Sequence, residues 1–203
     1  IFSAHGEYLP THGMWGHRFL SYQDLAHVTL QVREPGRQEG VRVSSPVQLS
    51  DLYATVLSAT LGQPVEEPLR DSKDLLAVAE RGGKPRVAIC ECRGPAPVTM
   101  KLFEGRTDPV VQHRATPQIA AVGQRFKLLQ SADGQRELYD LLEDPGELRN
   151  LIDELPDEAA RLAAYVRTWL EATPAYTPPK ETDQLPSPEV LRSLRSLGYV
   201  GDE

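Results

Sequence analysis

The sequence predicts an α/β fold that closes with a small antiparallel sheet and a helix packed on it, and three observations carry that prediction. Residues 1 to 62 pass from the end of an apolar strand, through a loop rich in Gly and His, to a second strand and then a helix signature. Residues 85 to 141 hold short apolar runs separated by turn residues, the pattern of antiparallel strands. From Leu155 onward the apolar residues recur at helical spacing. These segments divide the chain into residues 1–85, the end of an α/β domain, residues 86–172, an antiparallel subdomain with its helix, and residues 173–203, a Pro-rich linker and terminal helix.

Each element has a local reason. Ile1 to Ser3 read as the last residues of an apolar strand, and residues 4 to 18 as the loop that leaves it. In "DLAHVTLQVREPG" Val28, Leu30 and Val32 alternate with Thr29, Gln31 and Arg33, which predicts a strand that the Pro35-Gly36 turn stops. "SPVQLSDLYATVLSATLG" predicts a helix: Ser50 or Asp51 can cap it, Leu52, Val56, Leu57 and Leu61 fall on one face, and Gly62 stands where a left-handed residue ends it. Residues 63 to 85 are rich in Pro, Gly and charge and predict a surface connection with a short helix at "DLLAVAER". "PRVAICEC", "VTMKLFEG" and "QIAAVGQRFKLLQSADGQRELYDL" predict the strands, with a turn at Ala132, Asp133 and Gly134. In the helix that begins at Leu155-Pro156-Asp157, the expected apolar face is Ala160, Leu162, Ala163, Val166, Trp169 and Leu170. Residues 173 to 187 predict an extended linker, and "SPEVLRSLRSLGYVG" a capped terminal helix.

Composition bounds the function. The chain has 203 residues, 40% hydrophobic and 25% charged, an ordinary globular composition with room for a core. A net charge of -7 without a cluster of Lys and Arg argues against nucleic acid as a partner, because duplex binding depends on neutralising phosphates. No run approaches the ~18 apolar residues of a membrane span. Cys90 and Cys92, two apart on a predicted strand, point to one face; their spacing fits neither an unstrained disulfide nor a zinc finger, so they read as half-buried free thiols.

Chemistry concentrates near the start of the chain. "IFSAHGEYLPTHGMWGH" carries His5, Glu7, His12 and His17, and His27 follows. Imidazole and carboxylate are ordinary divalent-metal ligands, and a loop beyond the carboxyl end of a strand is where open α/β sheets place their ligands. Spacing alone also fits loop histidines bonded to backbone. The H-x-E of a zinc deaminase is present at His5-Gly6-Glu7, but the P-C-x-x-C that must accompany it is not.

The ordered series of motifs adds a resemblance. "HGEYLPTHGMWGHRFLSYQDLAHVTLQVREPG", then "SPVQLSDLYATVL", then "RFKLLQSADGQRELYDLLEDPGELRNL" and the closing "LRSLGYVG" resemble the second half of the sulfatase family in the alkaline-phosphatase-like superfamily. Nearly the whole chain takes part, least of all residues 63 to 118. The resemblance implies the C-terminal part of an alkaline-phosphatase-like sulfatase fold and a parent enzyme that hydrolyses sulfate esters of small molecules or glycans. It implies a divalent cation, usually calcium, and a formylglycine nucleophile made from a Cys or Ser in a Cys-x-Pro-x-Arg type motif. His5 matches a residue of the metal site, and His17 matches the Lys or His that contacts a sulfate oxygen at the catalytic centre.

Departures from that pattern matter. Ala4 stands where the family has a metal-binding Asp, and a methyl group offers a hard cation no oxygen. Neither Cys90 nor Cys92 is followed by x-Pro-x-Arg, so the nucleophile, its Arg and the early paired aspartates are expected in an N-terminal half upstream of Ile1. A phosphodiester or phosphonate-ester hydrolase of the same superfamily is the alternative reading, and Ala4 admits a catalytically inactive scaffold or binding protein as another.

Overall fold

The computed structural model describes residues 1–17, 19–62, 72–81, 85–94, 116–173 and 187–196. Residues 1–170 form one compact unit and residues 171–203 a second. The strand expected at residues 98 to 105 and the linker at 174–186 lie outside the described residues.

The core is a four-stranded antiparallel sheet in the order β3 (Ala88–Cys92), β4 (Gln118–Val122), β5 (Phe126–Ser131) and β6 (Arg136–Asp140). The pairings Ala121↔Leu128 and Leu128↔Leu138 set its register, so Ala121, Leu128 and Leu138 share one face. A helix, Pro156–Ala172, covers that face with Ala159, Leu162, Ala163 and Val166. The other face, built from Ala120, Leu129 and Tyr139, is covered by Tyr8, Met14, Leu20 and Tyr22 from the His-bearing loop. A sheet covered on both faces has apolar residues at consecutive positions, which is why "QIAAV" and "KLL" read as continuous runs. Leu128, Leu129 and Leu138 are at most 1% exposed, and burying each stabilises the fold by about 1.5–3 kcal/mol.

The turn between β5 and β6 is as expected, with Gly134 at φ 91°. The helix after it differs in phase: Ala159 is buried and Ala160 exposed, because the stripe that meets the sheet runs 159, 162, 163, 166, and Leu170 at its end is 49% exposed.

Two expectations in the first 62 residues are corrected. The strand around Val28 to Val32 reduces to one antiparallel bridge, Phe2↔Leu30, held by hydrogen bonds between residues 1–3 and 29–31. Val28 and Leu30 are half-buried but Val32 is exposed, so the alternation is too short-lived to carry a ladder. The helix at Asp51–Leu61 forms, ended by Gly62 at φ 66°, but its buried face is Asp51, Ala54, Thr55 and Ser58. The reason is polar. The fully buried Asp51 carboxylate accepts hydrogen bonds from the backbone N–H groups of Gln48 and Lys73, both at 2.7 Å, and from the Arg86 guanidinium at 2.8 Å. Thr55 accepts from the N–H of Leu75, which begins the next helix, Leu75–Arg81. Ser50 stands at the N-cap without a side-chain capping bond, so Asp51 does the fastening. Val56 and Leu61 are left more than half exposed.

In the second unit the terminal helix spans Pro188–Ser196, and the Ser187 hydroxyl accepts a hydrogen bond from the Val190 N–H. No helix of the described residues is long and apolar enough to cross a membrane. Cys90 and Cys92 are free, half-buried thiols on β3, and burial pushes the Cys90 thiol up from its ordinary range.

Candidate functional site

The His-bearing loop is a hairpin. β1 (Tyr8–Thr11) and β2 (Met14–Gly16) pair antiparallel, with Thr11 opposite Met14. The two residues between them, His12 and Gly13, have φ of 50° and 64°, the left-handed pair of a type I′ turn. His12 stacks on Tyr22 with ring centroids 3.8 Å apart and planes 5° off parallel, a packing role. Tyr8 and Met14 face the sheet, and burial pushes the Tyr8 hydroxyl far above its ordinary pKa.

The register decides the rest. Tyr8 lies opposite Gly16, so the next residues outward, Glu7 and His17, face each other across the open end of the hairpin. His17 Nδ1 and Glu7 Oε2 are 3.1 Å apart. His5 folds back over this pair, its ring stacked on that of His17 at 4.4 Å between centroids and 21° between planes. Nδ1 of His5 lies 2.8 Å from the Gly6 carbonyl oxygen. One ligand atom from each of His5, Glu7 and His17 lies within 4.8 Å of the others, and all three side chains are exposed. A surface pair of this kind contributes less than about 1 kcal/mol to stability. His5 and His17 are thus brought together as neighbours. Glu7, the carboxylate of the same sequence cluster, joins them through the hairpin register. Ala4 is exposed beside His5 and adds no oxygen ligand.

Two anchors hold this loop on the sheet. Gly6 donates its N–H to Leu25 O at 2.8 Å, and a Cβ there would lie 1.9 Å from Asp24 O on the short helix α1 (Gln23–Ala26). Gly6→Ala is therefore expected to destabilise the chain by about 1–3 kcal/mol, read as a lower denaturation midpoint at unchanged slope. Smaller loss would mean that the loop can back away from α1.

The second anchor is a buried ion pair that the sequence did not reveal. Lys127 on β5 is 0% exposed, and its ammonium lies 2.7 Å from Glu147 Oε1. It also donates to the Ser21 carbonyl and lies 3.4 Å from Gln23 Oε1. The other Glu147 carboxylate oxygen accepts the Gln23 N–H. Burial holds the Lys127 ammonium below its ordinary pKa, with Glu147 pulling the other way. Glu147 has φ 54°, as do Phe19 (67°) and Leu20 (58°) in the loop it braces, so three non-glycine residues adopt left-handed backbone around this contact. A lysine between Phe126 and Leu128, in the apolar half of the strand, was the available signal.

Comparison with known proteins bears on this geometry. No family model matches the chain. The chain is 27% identical over 176 residues to arylsulfatase K of Gallus gallus, an alignment covering 82% of this chain and 30% of that protein. It is 30% identical over 159 residues to arylsulfatase K of Mus musculus, covering 76% and 27%. Against an uncharacterized sulfatase, YidJ, of Escherichia coli (strain K12), identity is 28% over 158 residues, covering 75% and 27%. The chain thus spans less than a third of the length of these relatives. Among solved structures, a 2-O GAG sulfatase superposes with a TM-score of 0.66 at 21% identity, over 85% of this chain and 35% of that one. The protein BT4656, solved in complex with its substrate D-glucosamine-2-N,6-O-disulfate, gives 0.63 at 20% identity, over 84% and 33%. Phosphonate monoester hydrolase of Agrobacterium radiobacter gives 0.55 at 24%, over 84% and 33%. Over the third of their length that it spans, the chain is related to the sulfatases in sequence and has their α/β fold.

Proposed function

We propose that this chain is the C-terminal portion of a sulfate ester hydrolase, and that its hairpin carries part of the site that grips the sulfate group. The observation that carries the reading is the convergence of His5, Glu7 and His17 at one open hairpin end in a chain related to sulfatases. A protonated His17 would offer a cation to the sulfate oxygens, on which negative charge grows as the ester bond breaks; such preorganised charge is worth several kcal/mol of barrier. Glu7 holds the ring in place, and the hairpin register fixes both. Gly6 and the Lys127–Glu147 pair keep the hairpin from moving against the sheet.

The resemblance also implies calcium and formylglycine. Calcium takes 6–8 oxygen ligands, whereas the donors gathered at this hairpin are two imidazoles and one carboxylate, with Ala4 beside them. These residues do not fit that ion, and no step is taken through it. Formylglycine would supply the nucleophile from sequence outside these 203 residues, because no Cys-x-Pro-x-Arg motif occurs within them. The substrate class is a sulfated small molecule or glycan, supported by the sulfated glucosamine bound to one structural neighbour.

The test is turnover of an aryl sulfate by this chain alone and by the product of the longer coding sequence. The longer product should turn over and the chain alone should not, because differential stabilisation of a transition state needs a nucleophile to act on. Turnover by the chain alone, abolished by His17→Ala, would overturn the reading. Similarity to a phosphonate monoester hydrolase supports a second reading, and the same assay with a phosphonate monoester separates the two.

A further inference from the structure

We propose that the outward face of the helix Asp51–Leu61 is a docking surface for the remainder of the protein, the portion that lies outside these 203 residues. The face needs that remainder to exist, and so rests on the reading of this chain as one portion of a longer hydrolase. What points to it is a helix turned inside out. The buried stripe is polar, Asp51, Thr55 and Ser58 with Ala54, because the Asp51 carboxylate is bonded to Gln48, Lys73 and Arg86. At about 100° per residue, Leu52, Val56, Thr60, Tyr53 and Leu57 come together on the opposite side. Tyr53 and Val56 are 60% and 62% exposed, and Leu61 at the helix end is 55% exposed. Thr60, the one aliphatic hydroxyl of that strip, donates to the Val56 carbonyl at 2.7 Å and so asks little of water. The helix holds a single charged residue, Asp51, and that one is buried. A helix facing water carries its charges outward. This one carries none there, which is the composition of a helix covered on both sides.

Two observations choose the occupant. The relatives are matched over only 27–30% of their own length, so more than two thirds of each lies beyond the part that resembles this chain. A portion joined covalently meets the face at an effective concentration on the order of millimolar, with which a dilute second copy does not compete. On the same reading that portion is joined at Ile1, and Ile1 and Phe2 are 86% and 58% exposed, so apolar surface is uncovered at the junction as well. The strip offers no charge to pair. Its complement is therefore an apolar, uncharged surface, because a facing Lys or Glu would be buried without a partner.

The experiment is hydroxyl-radical labelling of Tyr53, read by mass spectrometry, in the chain alone and in the product of the longer coding sequence. Thermal midpoints of both proteins, with and without Val56→Glu, accompany it. Tyr53 should label readily in the chain alone and to a small fraction of that in the longer product. Val56→Glu should leave the midpoint of the chain alone in place, since the side chain meets water there, and lower that of the longer product by about 2–4 °C or more. Should the variant keep the longer product from folding, labelling of the two unsubstituted proteins decides by itself. Equal labelling in both proteins, or an equal shift of both midpoints, would overturn the docking surface. So would protection of Tyr53 in the chain alone, whether it grows with concentration, as a second copy requires, or is present at dilution, as a segment of this chain requires. Sulfate-ester turnover is not among the readouts: a longer product that covers Tyr53 without hydrolysing the ester sinks only the function, and one that hydrolyses it with Tyr53 open sinks only this surface.

Discussion

Lys127→Ala should destabilise the chain by about 3–5 kcal/mol, the cost of breaking a buried ion pair by removing one partner. Neither partner can turn to water: Lys127 is 0% and Glu147 2% exposed. Once the ammonium is gone, the Glu147 carboxylate keeps only the Gln23 N–H, and the Ser21 carbonyl loses a donor. A folded state worth 5–15 kcal/mol in total feels such a loss as a large fraction of its stability. Lys127→Met combined with Glu147→Gln should lie closer to the parent chain, since the unpaired charge is removed along with its partner. The effect should also be local. Amide exchange at residues 19 to 25 should quicken more than in β4 or β5, because the pair joins that loop to the sheet. Chemical denaturation and amide exchange of the two variants check both statements. A loss below about 1 kcal/mol for Lys127→Ala would mean a solvated pair rather than a buried one.

How legible this was in the sequence varied with the kind of signal. The antiparallel sheet was legible because "AICEC", "QIAAV" and "FKLLQS" concentrate β-branched and apolar residues between turn residues, and Gly134 needs its positive φ. The long helix was legible in position but not in phase, because Ala159 and Ala160 are chemically identical and only the sheet beneath distinguishes them. The helix from Asp51 misled for a physical reason: its apolar residues suggested the buried face, yet a buried carboxylate with three donors fixed the helix the other way round. Hydrophobic periodicity does not register such a contact. At the site, His5 and His17 were legible as types, and the sulfatase resemblance singled them out. What joined them was the pairing of Tyr8 with Gly16, which a one-residue register shift between Tyr8 and Thr11 sets off from the Thr11–Met14 pair that closes on the two left-handed turn residues. The pattern Thr-His-Gly-Met does not announce that turn, since a histidine stands where Asn or Asp would have been the stronger cue.

The largest functional effect should come from His17. In the product of the longer coding sequence, His17→Ala is expected to lower kcat on an aryl sulfate by roughly 10²–10³, the usual consequence of removing one preorganised charge or donor from a transition state. KM should move far less, because the interaction strengthens as the ester bond breaks. His12→Ala, five residues away on the same hairpin, alters a turn residue stacked on Tyr22 and should leave kcat close to the parent value. Glu7→Gln should fall between the two, since it loosens the His17 ring without removing it. The decisive measurement is therefore kcat for His17→Ala beside kcat for His12→Ala on the same sulfate ester. A drop of at least about 10²-fold confined to His17 is the predicted result, and equal rates for the two variants would contradict a sulfate-gripping role for this hairpin.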